Sequence, residues 1–224
     1  MKKFFLAAAI VLIGTSSLAQ QIGPASTLAR HHEPNFGLGY TDHEAEIVGV
    51  DVEQTRVYLH VGMGIGYPEE PQMEIYLRLG GADLETENLS GSSNFNGDFE
   101  PFVGAGFKAN FVRRELPLGI GIVAQGARFA KWEDEVDGIT VEVEEFWEFE
   151  GAIPVEYEFL NFTVYGGPVL SYVKGDVDPA GDVEDGDSFG VFGGASYSFG
   201  RWGLQAEVQD KTGTSLSGLL TYSF

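Results

Sequence analysis

Carboxylates at every second position are the residues of this chain best placed to do chemistry. Glu148, Glu150, Glu156 and Glu158 alternate with Trp147, Phe149, Val155, Tyr157 and Phe159, and Glu207 lies between Ala206 and Val208. Glu74 and Glu100 repeat the pattern, and the same parity carries Arg56, His60, Arg78 and Lys108. Two chemistries are open to such a set. Acids and bases brought together in an interior pair with each other, because buried charge persists only when paired. A surplus of carboxylates along a water-filled passage would instead favour cations.

A second acidic set lies in Gly-Asp-Val-Asp-Pro-Ala-Gly-Asp-Val-Glu-Asp-Gly-Asp, from Gly175 to Asp187. Asp176, Asp178, Asp182, Glu184 and Asp187 hold the spacing of the first, third, seventh, ninth and twelfth positions of a calcium loop, and Gly181 falls where such a loop turns sharply. Ala180 stands where the fifth ligand is required, and Asp187 replaces the usual longer Glu. The segment reads as an acidic surface loop, with weak Ca²⁺ binding at millimolar concentration as the alternative. No other cofactor is expected.

The elements that must position these residues are strands. Val57, Leu59, Val61, Met63 and Ile65 alternate with Arg56, Tyr58, His60, Gly62 and Gly64; Met73, Ile75, Leu77 and Leu79 alternate with Glu74, Tyr76, Arg78 and Gly80. The period of two continues from Phe99 to Phe111, from Trp147 to Phe159, from Trp202 to Val208 and through Leu216, Gly218, Leu220, Tyr222 and Phe224. Such a period sends the two sets to opposite faces. Several runs exceed the ~5–6 residues of ordinary strands and reach the ~9–11 that cross a membrane. Less regular segments at 116–130, 162–174 and 188–199, with one strand between Phe36 and Val52, bring the count to about ten, eight and twelve being the alternatives.

The connections alternate in length. Leu160-Asn161, Gly200-Arg201, 67–70 and 113–115 are short, whereas 86–97, 131–138 and 175–187 are long and polar, with 210–214 a shorter loop on the same side. Asp83, Glu85, Glu87, Glu133, Asp134, Glu135 and Asp137 gather at the long-loop end, and Arg113, Arg114 and Arg201 at the other. Aromatics mark both rims: Phe159, Phe162, Phe199, Trp202, Tyr222 and Phe224 on the short-turn side, Phe99 and Trp147 on the other. Two aromatic girdles on outward parity are the signature of lipid-facing barrel walls.

Lys2 and Lys3, the apolar run from Phe4 to Ile13 and the small residues of Ser17-Leu18-Ala19 fit a signal peptide cut after Ala19. The chain has no cysteine, so disulfides play no part in its stability. Its formal charge of −21 excludes a nucleic-acid partner, which needs a basic face, and fits a cation or a cationic partner.

The alternation, the leader and the final Leu220-Thr221-Tyr222-Ser223-Phe224 make the chain similar to the small bacterial outer-membrane β-barrels, the group of the OmpA transmembrane domain and OmpX. The resemblance implies an all-β, closed, antiparallel up-and-down transmembrane barrel over 36–224, a periplasmic segment over 20–35, and outer-membrane lipid as a partner. It also implies engagement of the barrel-assembly machinery through the last strand, with Tyr222 and Phe224 as the insertion signal. Enzymes of that architecture resemble one another in having a His beside a Ser or carboxylate at the outer rim. Here His31, His32 and His43 lie outside the clear strands, and His60 falls mid-barrel, so no catalytic residue is assigned. The expected role is structural or surface-interacting, with 131–138 and 175–187 as contact surface; a small cation-preferring channel is the alternative, and an outer-membrane enzyme the lesser one.

Overall fold

The computed structural model describes residues 20–26, 34–47, 50–67, 70–87, 94–111, 117–136, 138–178 and 181–224. Residues 1–19, expected to be a leader, and His31-His32-Glu33, Arg113, Arg114 and Asp137 lie outside them. The strands are β1 (Pro34–Ile47), β2 (Val50–Tyr67), β3 (Glu70–Glu87), β4 (Phe95–Asn110), β5 (Leu118–Phe129), β6 (Trp132–Val136), β7 (Ile139–Ala152), β8 (Val155–Phe159), β9 (Phe162–Asp178), β10 (Gly181–Phe199), β11 (Trp202–Asp210) and β12 (Thr214–Ser223). All pairings are antiparallel, and each strand of the wall joins its neighbour in sequence. β12 returns to β1 in unbroken register from Asn35↔Ser223 to Glu44↔Thr214, so the wall closes on itself.

The wall has ten strands, as the alternation predicts. β7 and β8 are one crossing, interrupted at Ile153-Pro154 because Pro154 has no N–H to give the ladder. β5 pairs with both parts, and Gly121 N donates to Pro154 O across the break. β6 is not part of the wall. It folds back on β7 from Trp132↔Val143 to Val136↔Ile139.

Side-chain direction follows the predicted parity. Leu59, Ile75, Leu77, Val103, Leu170, Leu204 and Leu216 are exposed around the outside, while the alternate positions are buried. An apolar belt on the outside of a closed, hydrogen-bonded wall is stable only against lipid. At the short-turn rim the girdle is continuous: Trp202 meets Tyr222 at 4.9 Å, Tyr222 meets Phe224 at 5.1 Å, and Phe224 meets Phe36 across the closing seam at 5.5 Å between centroids. Phe159↔Phe162 and Phe199↔Trp202 close two-residue turns, with Leu160 and Gly200 at positive φ, the twist that tight hairpins demand.

Four expectations are corrected. The first strand begins at Pro34 and ends at Ile47, and β2 already starts at Val50. Residues 20–26 lie inside the barrel, against the expected periplasmic segment. In place of a loop at 131–138, Trp132–Val136 pairs with Ile139–Val143 as one arm of a hairpin, and Trp132 is fully buried because Trp132, Val136, Val141 and Val143 share one apolar face. Within the 175–187 segment the ends of β9 and β10 are paired, with Gly181↔Val177 and Asp182↔Asp176, so Gly181 is a ladder residue of β10 and not the sharp turn of a calcium loop. Strand pairing spreads Asp176, Asp178, Asp182, Glu184 and Asp187 along two strands, whereas a calcium loop wraps its ligands round one centre. The side chains of Asp182, Glu184 and Asp187 lie outside the described ones. Among the described residues no three acidic or histidine side chains are grouped to hold a metal.

Candidate functional site

The interior of the barrel is where the chemistry-bearing residues converge. Towards the short-turn end, Glu74 on β3 is the centre. Lys108 Nζ on β4 lies 3.4 Å from it, His60 Nε2 on β2 3.3 Å, and Asn35 Nδ2 donates to it at 3.3 Å. His60 meets a carboxylate through Nε2, so the Nε2–H tautomer is the one that satisfies the contact. The cavity beside this group, bordered by His60, Glu74, Arg78 and Lys108, holds about 10 Å³, at the lower limit for one water.

Arg78 occupies the middle. Its guanidinium lies over the rings of Tyr76 and Tyr58, at 4.9 and 5.1 Å, and donates to Gln125 Oε1 at 3.2 Å and to Gln21 O at 2.8 Å. Tyr76 hydroxyl donates to the same Gln125 oxygen at 2.6 Å. Inward glycines make room for these rings: a Cβ at Gly39 would collide with Tyr58, one at Gly106 with Tyr76 and one at Gly194 with Tyr165. At these three positions the space left by the missing Cβ is filled by a ring packed across the interior.

Residues 20–26 thread the same space. Ile22 N and Gly23 N donate to the two oxygens of Glu207 at 2.8 and 2.7 Å, and Ser26 N donates to Glu156 at 2.9 Å. Gly23 has φ +77°, a conformation open to glycine, and this presents two successive N–H groups to one carboxylate. Ile22 packs with Val123, Ala152, Tyr165, Val169 and Phe192. Gln20 N faces both oxygens of Glu150 at 3.3 Å, and Gln209 Nε2 donates to Gln20 O. Lys211, from the turn between β11 and β12, reaches inward to pair with Glu150, and its side chain is fully buried.

The outer end is closed by aromatics. Arg56 Nη2 pairs with Glu148 at 2.9 Å, both fully buried, and the guanidinium lies 4.8 Å from the centre of Phe129. Phe129 stacks on Phe102 at 5.3 Å and on Trp132 at 5.2 Å, and Phe146 meets both Phe129 and Trp132 edge-on at 5.6 Å. Trp132 Nε1 donates to Ala82 O at 3.1 Å, which ties the β6 hairpin to β3. Above this stopper Lys131 pairs with Glu133 at 3.1 Å and Glu142 at 2.6 Å. The hydrogen bond with Glu142, then that with Glu133, raises the Lys131 amine pKa. A hollow of about 500 Å³ at this rim lies between Val103, Arg128, Lys131 and the Glu144-Glu145 bulge, and Phe102 and Phe129 form part of its lining.

The structure buries nine of the eleven proposed lumen residues, Arg56, His60, Glu74, Arg78, Lys108, Glu148, Glu150, Glu156 and Glu207, in several adjoining groups. Glu100 keeps inward parity but is half-buried, and Glu158, two residues before the Leu160-Asn161 turn, is exposed. Parity gives the face of a strand and not the depth, so Glu158 leaves the set. Lys211, Gln125, Gln209 and the 20–26 segment join it. Tyr222 pairs with Phe36 and Trp202 at the seam, and Phe224 N reaches Pro34 O at 3.5 Å.

The sequence matches no protein-family model and no curated protein. Solved structures that share the architecture include the following three. The COG4313 outer membrane channel from Pseudomonas putida F1 aligns with TM-score 0.54 and 8% identity over 92% of this chain and 100% of its own. The translocator domain of the autotransporter NalP from Neisseria meningitidis gives 0.53 and 12% over 88% and 90%. The beta domain of the Bordetella autotransporter BrkA gives 0.55 and 10% over 86% and 100%. At these identities the likeness is one of fold, and it is to outer-membrane barrels at large and not to the OmpA and OmpX group in particular. With the closed wall and its apolar belt, it makes this chain a bacterial outer-membrane β-barrel protein.

Proposed function

We propose that the protein is a closed barrel that holds an acidic, strand-built platform above the outer membrane and passes no solute. The observation that carries this reading is the filled lumen. Ion pairs at Glu74, the 20–26 segment at Glu150 and Glu207, and the Phe102–Phe129–Trp132–Phe146 stopper follow one another along its length. The platform follows from strand length. β2, β3 and β10 have 18, 18 and 19 residues, well beyond the ~9–11 that span the bilayer. Their outer parts carry exposed Glu53, Glu85 and Glu87, joined by Glu44, Asp98, Glu133, Glu135, Asp176 and Asp178. Clustered carboxylates of one sign attract cationic partners at long range and lose that attraction in salt.

Vesicles carrying the protein test the platform. A labelled oligolysine is expected to bind them at low ionic strength, to be released by salt, and to bind less when Glu85, Glu87 and Asp176 are changed to their amides. Binding equal to that of protein-free vesicles of the same lipid would remove the surface role.

A further inference from the structure

Among the described residues the lumen buries five carboxylates, those of Glu74, Glu148, Glu150, Glu156 and Glu207. It buries four basic side chains with them, those of Arg56, Arg78, Lys108 and Lys211. One negative charge is in excess, in surroundings where unpaired charge is costly. The geometry shows where a fifth cation would sit. Gln20 N stands 3.3 Å from each oxygen of Glu150, and Gln20 Nε2 donates to Glu148 at 3.4 Å. A mid-chain amide has one hydrogen to divide between those two oxygens. A chain-terminal ammonium has three, and a positive charge. The residues immediately before Gln20 are Ser17-Leu18-Ala19, the small-residue pattern of a leader cleavage site.

We propose that the lumen is a docking site for the chain's own newly cut N-terminus, the α-ammonium of Gln20, with Glu150 as its direct partner and Glu148 beside it. Hydrolysis of the Ala19–Gln20 bond by the signal peptidase adds one water. The water oxygen leaves in the Ala19 carboxylate, and its two hydrogens go to the Gln20 nitrogen, which becomes an ammonium. The buried charges then balance. The rest of the segment is held as an inserted ligand would be, by N–H donation from Ile22, Gly23 and Ser26 to carboxylates, by Arg78 on Gln21 O, and by the apolar seat of Ile22. Export processing thereby completes the interior of the folded barrel.

The test uses protein purified from outer membranes, an amine-directed reagent at neutral pH, and mass analysis of the N-terminal peptide. The expected result is a free amine on Gln20 that reacts roughly tenfold or more slowly in the folded barrel than in urea, since a buried group reacts only on local opening. Glu150→Gln is expected to speed that reaction in the folded protein. A second variant, with Ser-Gly inserted between Ala19 and Gln20, alters no lumen side chain and is expected to lose resistance to heat in detergent electrophoresis. A mature chain that starts elsewhere, a Gln20 cyclised to its neutral lactam, or an amine labelled equally fast folded and unfolded would overturn the proposal. The 20–26 placement is shared with the closed-lumen reading but the readout is not: a conducting barrel with a protected amine would overturn that reading and support this one.

Discussion

Arg56 and Glu148 meet at 2.9 Å with essentially no exposure, so each is the other's compensation for lost hydration. Arg56→Met alone leaves Glu148 short of its cation, and Glu148→Leu alone does the reverse. Each is expected to cost about 3–5 kcal/mol, whereas the double variant, apolar on both sides, is expected to come close to the parent. Urea unfolding in detergent, followed by the heat-modifiable band, measures this; single and double variants with equal midpoints would show that the pair does not matter. Parity placed both residues correctly, because a period of two is a property of the strand itself. It could not find Lys211, which stands in a turn and reaches back into the lumen. It could not find 20–26 either, whose hydrogen-bond partners lie 37 to 189 positions away and leave no local periodicity. Glu158 shows the converse error: it keeps the parity of Glu156 but stands at the short-turn rim, where its side chain is exposed.

The strands of the wall were legible because lipid outside and polar network inside enforce strict alternation over long runs. The outer hairpins were not, because their charged residues hide the same period. In Trp132-Glu133-Asp134-Glu135-Val136 the apolar ends lie on one face, yet the three acids between them make the stretch look like a loop. The β9–β10 extension follows the same logic, with Asp176 opposite Asp182 and Lys174 opposite Glu184. Paired backbone must open before a protease can enter. Cleavage between Asp176 and Asp187 is therefore expected to be slow in chelator, and millimolar Ca²⁺ is expected to change its rate by less than about twofold. Fast cleavage in chelator that Ca²⁺ suppresses, and that Na⁺ at equal ionic strength does not, would return the segment to a calcium-ordered loop.

Taken as one object, the molecule keeps two charge systems apart. The lumen pairs its acids with bases and backbone N–H groups, while Glu44, Glu53, Glu85, Glu87, Asp98, Glu133, Glu135, Asp176 and Asp178 stand exposed at the long-loop end in water, where repulsion between like charges is screened. A channel would need the opposite arrangement, carboxylates facing an open path and few cations among them. On the proposed reading, the apolar exterior and the seam between β1 and β12 serve to embed the barrel, and the stopper at Trp132 serves to seal it. Conductance of the purified protein in planar bilayers tests this most directly. A sealed lumen gives no stable steps at either polarity of applied voltage. Steady cation-selective steps from the wild-type protein, reduced by Glu148→Gln and Glu156→Gln, would contradict it.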